Sequence, residues 1–154
     1  MRPLRVYVDT SVLGGMFDAE FRSDTELFFQ MAASGRFVLV VSEQVEAEIR
    51  PAPRVVRKFF DKVLSQAEFC RFSSDAYDLT NLYVQNQVVG KKSAVDAAHV
   101  ALATVSRCDG LASWNFKHIV SPDKSARFNL VNATAGYPQL FILSPRELVD
   151  YEKA

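Results

Sequence analysis

The chain has 154 residues, of which 49% are hydrophobic and 23% charged, a composition typical of a globular domain and not of a disordered chain. Its 18 basic and 18 acidic residues cancel, so net charge argues neither for nor against a nucleic-acid partner. No run approaches the roughly 18 consecutive apolar residues of a membrane span, and the amino terminus lacks a signal-peptide pattern. We therefore expect one cytoplasmic domain over residues 1–154, without membrane contact and with Cys70 and Cys108 as reduced, packed thiols.

Strands and helices alternate along the chain. Short runs rich in Val, Leu, Ile and Phe predict strands over residues 5–9, 37–42, 111–114 and 140–144, with a weaker candidate at 69–72. Helices are predicted over residues 23–35, 42–49, 52–67, 73–89, 93–107 and 144–151. Strands separated by helices indicate parallel pairing with right-handed crossovers. We predict a three-layer α/β/α domain with a central, mostly parallel sheet.

Capping patterns predict where several of these helices begin. Ser23 with Glu26 and Ser144 with Glu147 have the spacing of a capping box. Ser42 is a natural cap for the helix that follows the second strand.

The first strand, in the stretch RVYVDTSVLGG, ends in an acidic residue. Its apolar residues occupy both faces, as in a fully buried strand of a parallel sheet, and such sheets bind ligands beyond the carboxyl ends of their strands. Asp9 is therefore either a site residue or a cap for the turn that follows. Gly14 and Gly15 would allow the backbone after it to pack closely.

Two glutamates compete for a role in the helix after the second strand. On a helical wheel, Val45 and Ile49 mark the buried side, and Glu46 and Glu48 flank it symmetrically. Helix geometry therefore does not show which of the two has a functional role. Both could also be ordinary residues of a solvent-exposed helix face.

Asp96 and Asn115 complete a set of polar residues near strand ends. Asp96 is the only acid in an apolar helix, where its burial is costly unless it is paired, but Ser93 and Asp96 also have capping-box spacing. Asn115 directly follows the fourth strand and could be an ordinary cap for the next short helix. Together with Asp9 and Glu48, they offer oxygen ligands of the kind that Mg²⁺ or Mn²⁺ prefers.

Four segments, VYVDTSVLGG, SEQVEAEI, SAVDAAHVALA and ASWNFKHI, resemble in order and spacing the four acidic motifs of PIN-domain nucleases. That family includes the VapC-type toxins of bacterial toxin–antitoxin pairs. The closing stretch FNLVNATAGYPQLFILSPREL is similar to the tail of a PIN subgroup with a WNFKH motif, so the resemblance spans nearly the whole chain.

The resemblance implies that Asp9, Glu48 and Asp96 are catalytic acids that bind Mg²⁺ or Mn²⁺. It selects Glu48 over Glu46, because the family's glutamate lies six residues after the small residue that matches Ser42. The implied reaction is endonucleolytic hydrolysis of phosphodiester bonds in single-stranded RNA by a metal-activated water. An antitoxin partner and a homodimer are implied in the same way.

Other residues of the site follow from the same resemblance. Asn115 matches a position where many members have a further aspartate, so one negative charge is missing and both a second metal and full activity are open. Thr10 or Ser11 would provide a hydroxyl or backbone contact beside the metal, and His118 could support the site from outside the metal's ligands.

Basic residues near these motifs are candidates for contact with RNA phosphates. They are Arg50, Arg54, Arg57, Lys58, Lys62, Lys91, Lys92 and Lys117. For those between positions 50 and 62, a solvated helix face is the simpler interpretation.

Several other functions remain open at this point. A ribonuclease using His99 and His118 as base and acid is one, although a histidine in an apolar helix is more typical of a core. A phosphohydrolase with a strand-end aspartate nucleophile would usually carry a second Asp where this chain has Ser11. No G-x-x-x-x-G-K-[ST] motif is present, which excludes a P-loop enzyme.

A non-enzymatic alternative is a degenerate PIN domain that binds RNA or protein, and Asn115 is the feature that favours it. Apolar residues at 28–31 and 55–60 could line a dimer or antitoxin surface, although core packing explains them equally well.

Overall fold

The computed structural model describes residues 2–153 and is built around a five-stranded sheet in the order β3-β2-β1-β4-β5, with every pair parallel. The strands are β1 (Leu4–Val8), β2 (Phe37–Ser42), β3 (Glu68–Cys70), β4 (Gly110–Ala112) and β5 (Phe141–Leu143). All the predicted strands are confirmed, including the weaker candidate. The three-layer α/β/α prediction is also confirmed, with a sheet that is entirely parallel.

The helices that surround this sheet are α1 (Thr10–Gly15), α2 (Arg22–Ala33), α3 (Glu43–Ile49), α4 (Arg54–Leu64), α5 (Ser74–Gln85), α6 (Ala94–Val105), α7 (Pro122–Thr134) and α8 (Pro145–Lys153). A short 3₁₀ turn, Lys91–Ser93, precedes α6. The six predicted helices are present, whereas α1 and α7 were not predicted. No helix within residues 2–153 is long and apolar enough to cross a membrane.

Side-chain caps fix several helix starts as predicted. The hydroxyl of Ser42 accepts a hydrogen bond from the Val45 amide, and Ser144 and Glu147 form the reciprocal pair of a capping box. The cap predicted at Ser23 is wrong, because α2 begins one residue earlier and places Ser23 inside the helix.

The Ser93–Asp96 capping box is also not formed. The side chain of Ser93 makes no cap hydrogen bond within the described chain, because the residue belongs to the 3₁₀ turn. Capping therefore does not explain the acid in this helix.

Close packing after β1 depends on one of the two glycines. A Cβ on Gly15 would come within 2.8 Å of both the Trp114 Nε1 atom and the Thr25 hydroxyl. A Cβ on Gly14 would meet nothing within 4 Å, so the packing role predicted for both glycines holds only for Gly15.

The core lies on both faces of the sheet. Val6, Tyr7 and Val8 of β1 are fully buried, and residues 97–104 of α6 are buried without interruption, as the apolar sequence of this helix predicts. Cys108 is buried and Cys70 is half-buried, and both are free thiols, as expected.

Topology brings four segments to one edge of the sheet. β1 and β4 are neighbours and end at the same edge, and α3 begins there because it follows β2 directly. Since α6 leads into β4, it runs back along the sheet and its first turn also lies at this edge. We call it the carboxyl edge.

Candidate functional site

Asp9 is a buried carboxylate at the end of β1, only 3% exposed. Its Oδ1 atom accepts hydrogen bonds from the Ser11 hydroxyl at 2.6 Å and the Val12 amide at 3.2 Å, and its Oδ2 atom accepts one from Ser113 at 2.5 Å. Burial raises the pKa of Asp9, while the neighbouring His99 and the two hydroxyls act in the opposite direction. Asp9 therefore caps α1 and also lies at the carboxyl edge, so the two interpretations of this residue are compatible.

Ser113 is a residue of this cluster that the sequence analysis missed. Its hydroxyl donates to Asp9 and accepts a hydrogen bond of 2.9 Å from the Asn115 amide. Ser11 completes the connection, because its hydroxyl accepts from the Trp114 amide at 2.9 Å. The two serines join the ends of β1 and β4. The signal for Ser113 was its place directly after β4.

Glu48 of α3 is a second acid held by hydrogen bonds, and its contact with Thr10 brings it to the helix that follows Asp9. Its Oε1 atom accepts from the Thr10 hydroxyl at 2.5 Å and its Oε2 atom accepts from Gln44 at 2.8 Å. Burial alone would raise the pKa of Glu48, but the hydrogen bond and charge of His99, with the bonds from Thr10 and Gln44, lower it to about 2. Glu46 takes part in none of these contacts, so the helix directs Glu48 to the carboxyl edge.

His99 lies behind Glu48 as the first member of a buried chain of hydrogen bonds. Its Nε2 atom is 2.9 Å from Glu48 Oε1, and because an ionised carboxylate only accepts, Nε2 carries the proton. Its Nδ1 atom is 2.7 Å from the hydroxyl of Tyr7, which is itself 2.7 Å from the hydroxyl of Ser42. Tyr7 and Ser42 were not predicted as part of this network.

Asp96 lies in the first turn of α6 and is half-buried. It precedes His99 by three residues, so both side chains share the face of α6 that contacts Glu48 and β1. The fold thus directs three acids, from β1, α3 and α6, to one edge. They do not form a closed cage: among residues 2–153, no three His, Cys, Asp or Glu side chains are grouped closely enough to hold a metal ion.

Asn115 acts as a cap in the turn after β4. Its Oδ1 atom accepts a hydrogen bond of 2.9 Å from the backbone amide of His118. Asn115 therefore caps as predicted, but it caps a turn and not a short helix, and a further lone pair remains on this oxygen. His118 enters the cluster through its backbone amide.

The basic residues are spread over several elements. The exposed Lys91 and Lys92 precede α6 at the carboxyl edge, and Lys117 is exposed in the turn after Asn115. Arg54 begins α4, which leads into β3 and so starts at the same edge.

The remaining basic residues near α4 follow the helix surface. Arg50 is the exposed cap residue after α3, Arg57 donates to the carbonyl of Ala52, and Lys58 is exposed. Lys62 lies in the last turn of α4 and lines a groove beside the first half of β2, away from the acids. The structure does not gather all the basic residues into one patch.

A mechanism based on two histidines finds no support in this geometry. His99 is 3% exposed and both of its ring nitrogens are engaged, whereas His118 is attached to the turn after β4. The interpretation of His99 as a satisfied core histidine holds, with the addition that it contacts Glu48.

The strand order and the entirely parallel sheet define a PIN-like α/β/α fold. The structure is similar to that of VapBC2 from Rickettsia felis bound to a DNA fragment from their promoter, with a TM-score of 0.58, 15% identity, and coverage of 90% of this chain and 97% of the other. It is also similar to Mycobacterium tuberculosis VapC20, a Sarcin-Ricin loop cleaving toxin, with a TM-score of 0.56, 18% identity, and coverage of 87% and 97%.

At these identities the similarity establishes the fold. No protein-family model and no curated protein sequence matches the chain. The assignment to a WNFKH subgroup stays a prediction.

Proposed function

We propose that this protein is a metal-dependent endoribonuclease that hydrolyses phosphodiester bonds of single-stranded RNA, and that it acts as the toxin of a toxin–antitoxin pair. The proposal is supported by the position of Asp9, Glu48 and Asp96 on three elements that end or begin at the carboxyl edge, in a fold shared with a Sarcin-Ricin loop cleaving toxin. Parallel sheets bind ligands at this edge, which is where the elements that carry the three acids end or begin.

The chemistry of these donors suits Mg²⁺ or Mn²⁺. Both ions prefer oxygen ligands, and Mg²⁺ is commonly bound by only one or two carboxylates, with water and substrate phosphate completing its coordination. An incomplete protein cage is compatible with that mode. Each of the two carboxylates keeps one oxygen with a lone pair to spare, because Oδ2 of Asp9 accepts only from Ser113 and Oε2 of Glu48 only from Gln44 within the described chain. Asp9, Glu48, Asp96 and the Asn115 oxygen are the residues that would hold the ion.

Such an ion would stabilise the negative charge that develops on the phosphoryl oxygens and favour the ionisation of water. The protein's own contribution is to hold the acids in place. Ser11 and Ser113 orient Asp9, and Thr10, Gln44 and His99 orient Glu48 and keep it ionised. His118 would support the turn that carries Asn115.

Lysines at the rim of the site supply attraction for RNA. Lys92 and Lys117 are exposed on either side of the acids, one before α6 and one after β4, and Arg54 and Arg50 extend the positive charge toward α4. A polyanion bound by these groups would be released by salt, so the affinity for RNA is expected to fall steeply with ionic strength.

The proposal also includes an antitoxin, a homodimer and a cytoplasmic location. Support for a protein partner comes from a groove of about 580 Å³ between α2, β2 and α4, whose apolar wall includes the half-buried Phe29 and Phe59. Their neighbours Phe28 and Phe60 are buried in the core. The apolar runs at 28–31 and 55–60 therefore contribute both to the core and to the groove.

Cleavage of a mixed-sequence, single-stranded RNA with Mn²⁺, with Mg²⁺ and with EDTA tests the proposal. Wild-type protein is expected to cut with either metal and not in EDTA. Asp96→Asn, purified identically, should lose cutting, while Glu46→Gln, which changes the acid two positions from Glu48, should keep it. Cutting that persists in EDTA or in Asp96→Asn would contradict the proposal.

A module that binds RNA without cutting it is the second candidate. It is favoured by Asn115, because this neutral side chain stands where many PIN-domain nucleases have an aspartate. Its Oδ1 atom also already caps a turn. Salt-sensitive RNA binding with no cleavage under any metal would select this function.

A further inference from the structure

Phe116 is a large aromatic side chain left exposed beside the candidate site. It follows Asn115 in the turn after β4 and is 51% exposed. Its ring lies edge-on to Trp114, with centroids 6.0 Å apart, and Trp114 is stacked on Phe21 at 4.3 Å. The Trp114 indole also donates to the Thr25 hydroxyl at 2.9 Å. Phe116 therefore packs against side chains that are themselves held in place by stacking and by a hydrogen bond.

A cavity of about 500 Å³ opens next to the Phe116 ring, at the ends of β4 and β5. The residues that line it include the apolar Val120 and Ile142 and the polar Ser125 and Glu147. Glu147 uses Oε1 to accept the capping hydrogen bond from the Ser144 amide, which leaves Oε2 outside that bond. The cavity is thus lined by an exposed aromatic side chain and by an acidic residue with one carboxylate oxygen outside the cap.

We propose that Phe116 and this cavity form a subsite for one nucleobase of the RNA, a proposal that rests on the function given above. Proteins hold single-stranded RNA by stacking its bases on exposed aromatic rings. Phe116 follows Asn115 in the turn after β4, so a base held here would lie beside the candidate site. Lys117, the following residue, is exposed and offers a positive charge to the RNA backbone.

The carboxylate of Glu147 gives the subsite a preference among bases. An ionised carboxylate only accepts hydrogen bonds, so it favours a base that presents an exocyclic amino group. Cytosine presents an exocyclic amino group, whereas uracil offers only its ring N3–H, flanked by two carbonyl oxygens that the carboxylate would repel. The subsite therefore prefers cytosine to uracil.

Binding of dye-labelled decamers of C or of U, followed by fluorescence anisotropy in EDTA, separates this proposal from catalysis. Phe116→Leu should weaken binding of the C decamer by about fivefold or more, the lower end expected for loss of one stacked base. The matched control is Phe141→Leu, which removes an equally exposed ring, 50% exposed, at the start of β5. It should bind like wild type.

Two further variants complete the test. Phe116→Trp keeps an aromatic face and should restore binding, even if the leucine variant is less stable. Glu147→Gln retains an oxygen for the Ser144 cap and should abolish the preference for C over U.

Equal effects of Phe116→Leu and Phe141→Leu would overturn the subsite, as would the absence of binding to either decamer. Failure of the nuclease proposal would be seen in the cleavage assay and not in these binding measurements. If no RNA is cut but Phe116→Leu still loses binding, the subsite stands without catalysis.

Discussion

His99 donates a hydrogen bond of 2.9 Å from Nε2 to Oε1 of Glu48, and this contact joins the buried helix α6 to α3 at the carboxyl edge of the sheet. On its other side, the imidazole is held by Tyr7, a residue of the central strand. The orientation of an acid at the site is therefore set by groups within the core. If Glu48 is a metal ligand as proposed, loss of such a partner is expected to cost about 10- to 100-fold in metal affinity or activity.

Tyr7→Phe tests this connection through stability. The variant removes the hydroxyl that lies between His99 and Ser42 and leaves the buried Nδ1 atom of His99 without a partner, which should lower the free energy of unfolding by about 1–3 kcal/mol. Urea denaturation measures the change. Tyr77→Phe is the matched control, because Tyr77 is 61% exposed, and it should be neutral. Equal effects of the two variants would show that the buried hydrogen bonds of Tyr7 add nothing to stability.

Asp9→Asn is expected to stabilise the protein at neutral pH in the absence of metal. Burial raises the pKa of Asp9 above its ordinary value of 3.8, so the folded state binds a proton more readily than the unfolded state. The stability linked to this group is fully present below the unfolded pKa and is lost as pH rises through the folded pKa. Asparagine is neutral, avoids this loss and still serves as a helix cap.

Thermal unfolding in EDTA at several pH values checks the prediction for Asp9. The variant should melt a few degrees above wild type at pH 7, and the difference should shrink below pH 4. A lower melting temperature for Asp9→Asn at pH 7 would mean that the hydrogen bonds from Ser11 and Ser113 outweigh burial of the charge.

Ser113→Ala should impair cleavage although Ser113 is fully buried. The variant loses the hydroxyl that donates to Asp9 at 2.5 Å, and loss of such an outer partner costs about 10- to 100-fold in metal affinity or activity. The cleavage rate is measured as a function of Mn²⁺ concentration. The concentration that gives half of the maximal rate should be higher for the variant than for the wild type. Ser65→Ala, at the exposed end of α4, serves as the control. An unchanged Mn²⁺ dependence in Ser113→Ala would remove Ser113 from the site.

The sequence was sufficient to predict most of the fold. Buried parallel strands are short apolar runs that stand out between amphipathic helices, and the burial of β1 and α6 follows directly from their composition. Helix α7 was missed because its inward face includes the polar Asn132 beside Phe128 and Val131, which weakens the apolar pattern. Helix α1 was taken for a turn because it spans only six residues and ends in two glycines.

The candidate site was less accessible to sequence reasoning. Its acids could be proposed from their places at strand ends, but local periodicity could not choose between Glu46 and Glu48. The difference lies in contacts with Thr10 and His99, which are 38 and 51 positions away in the chain. Ser113 escaped notice for the same reason, since its partner Asp9 is 104 positions away.

Direct binding of Mn²⁺, followed by the loss of the electron paramagnetic resonance signal of the free ion, tests the central claim most directly. Wild-type protein and Glu46→Gln should bind the ion with the same affinity, and Asp96→Asn should bind it at least about tenfold more weakly. Circular dichroism on the same samples confirms that the variants are folded. Absence of Mn²⁺ binding by the wild type, or equal binding by Asp96→Asn, would contradict a metal site at the carboxyl edge.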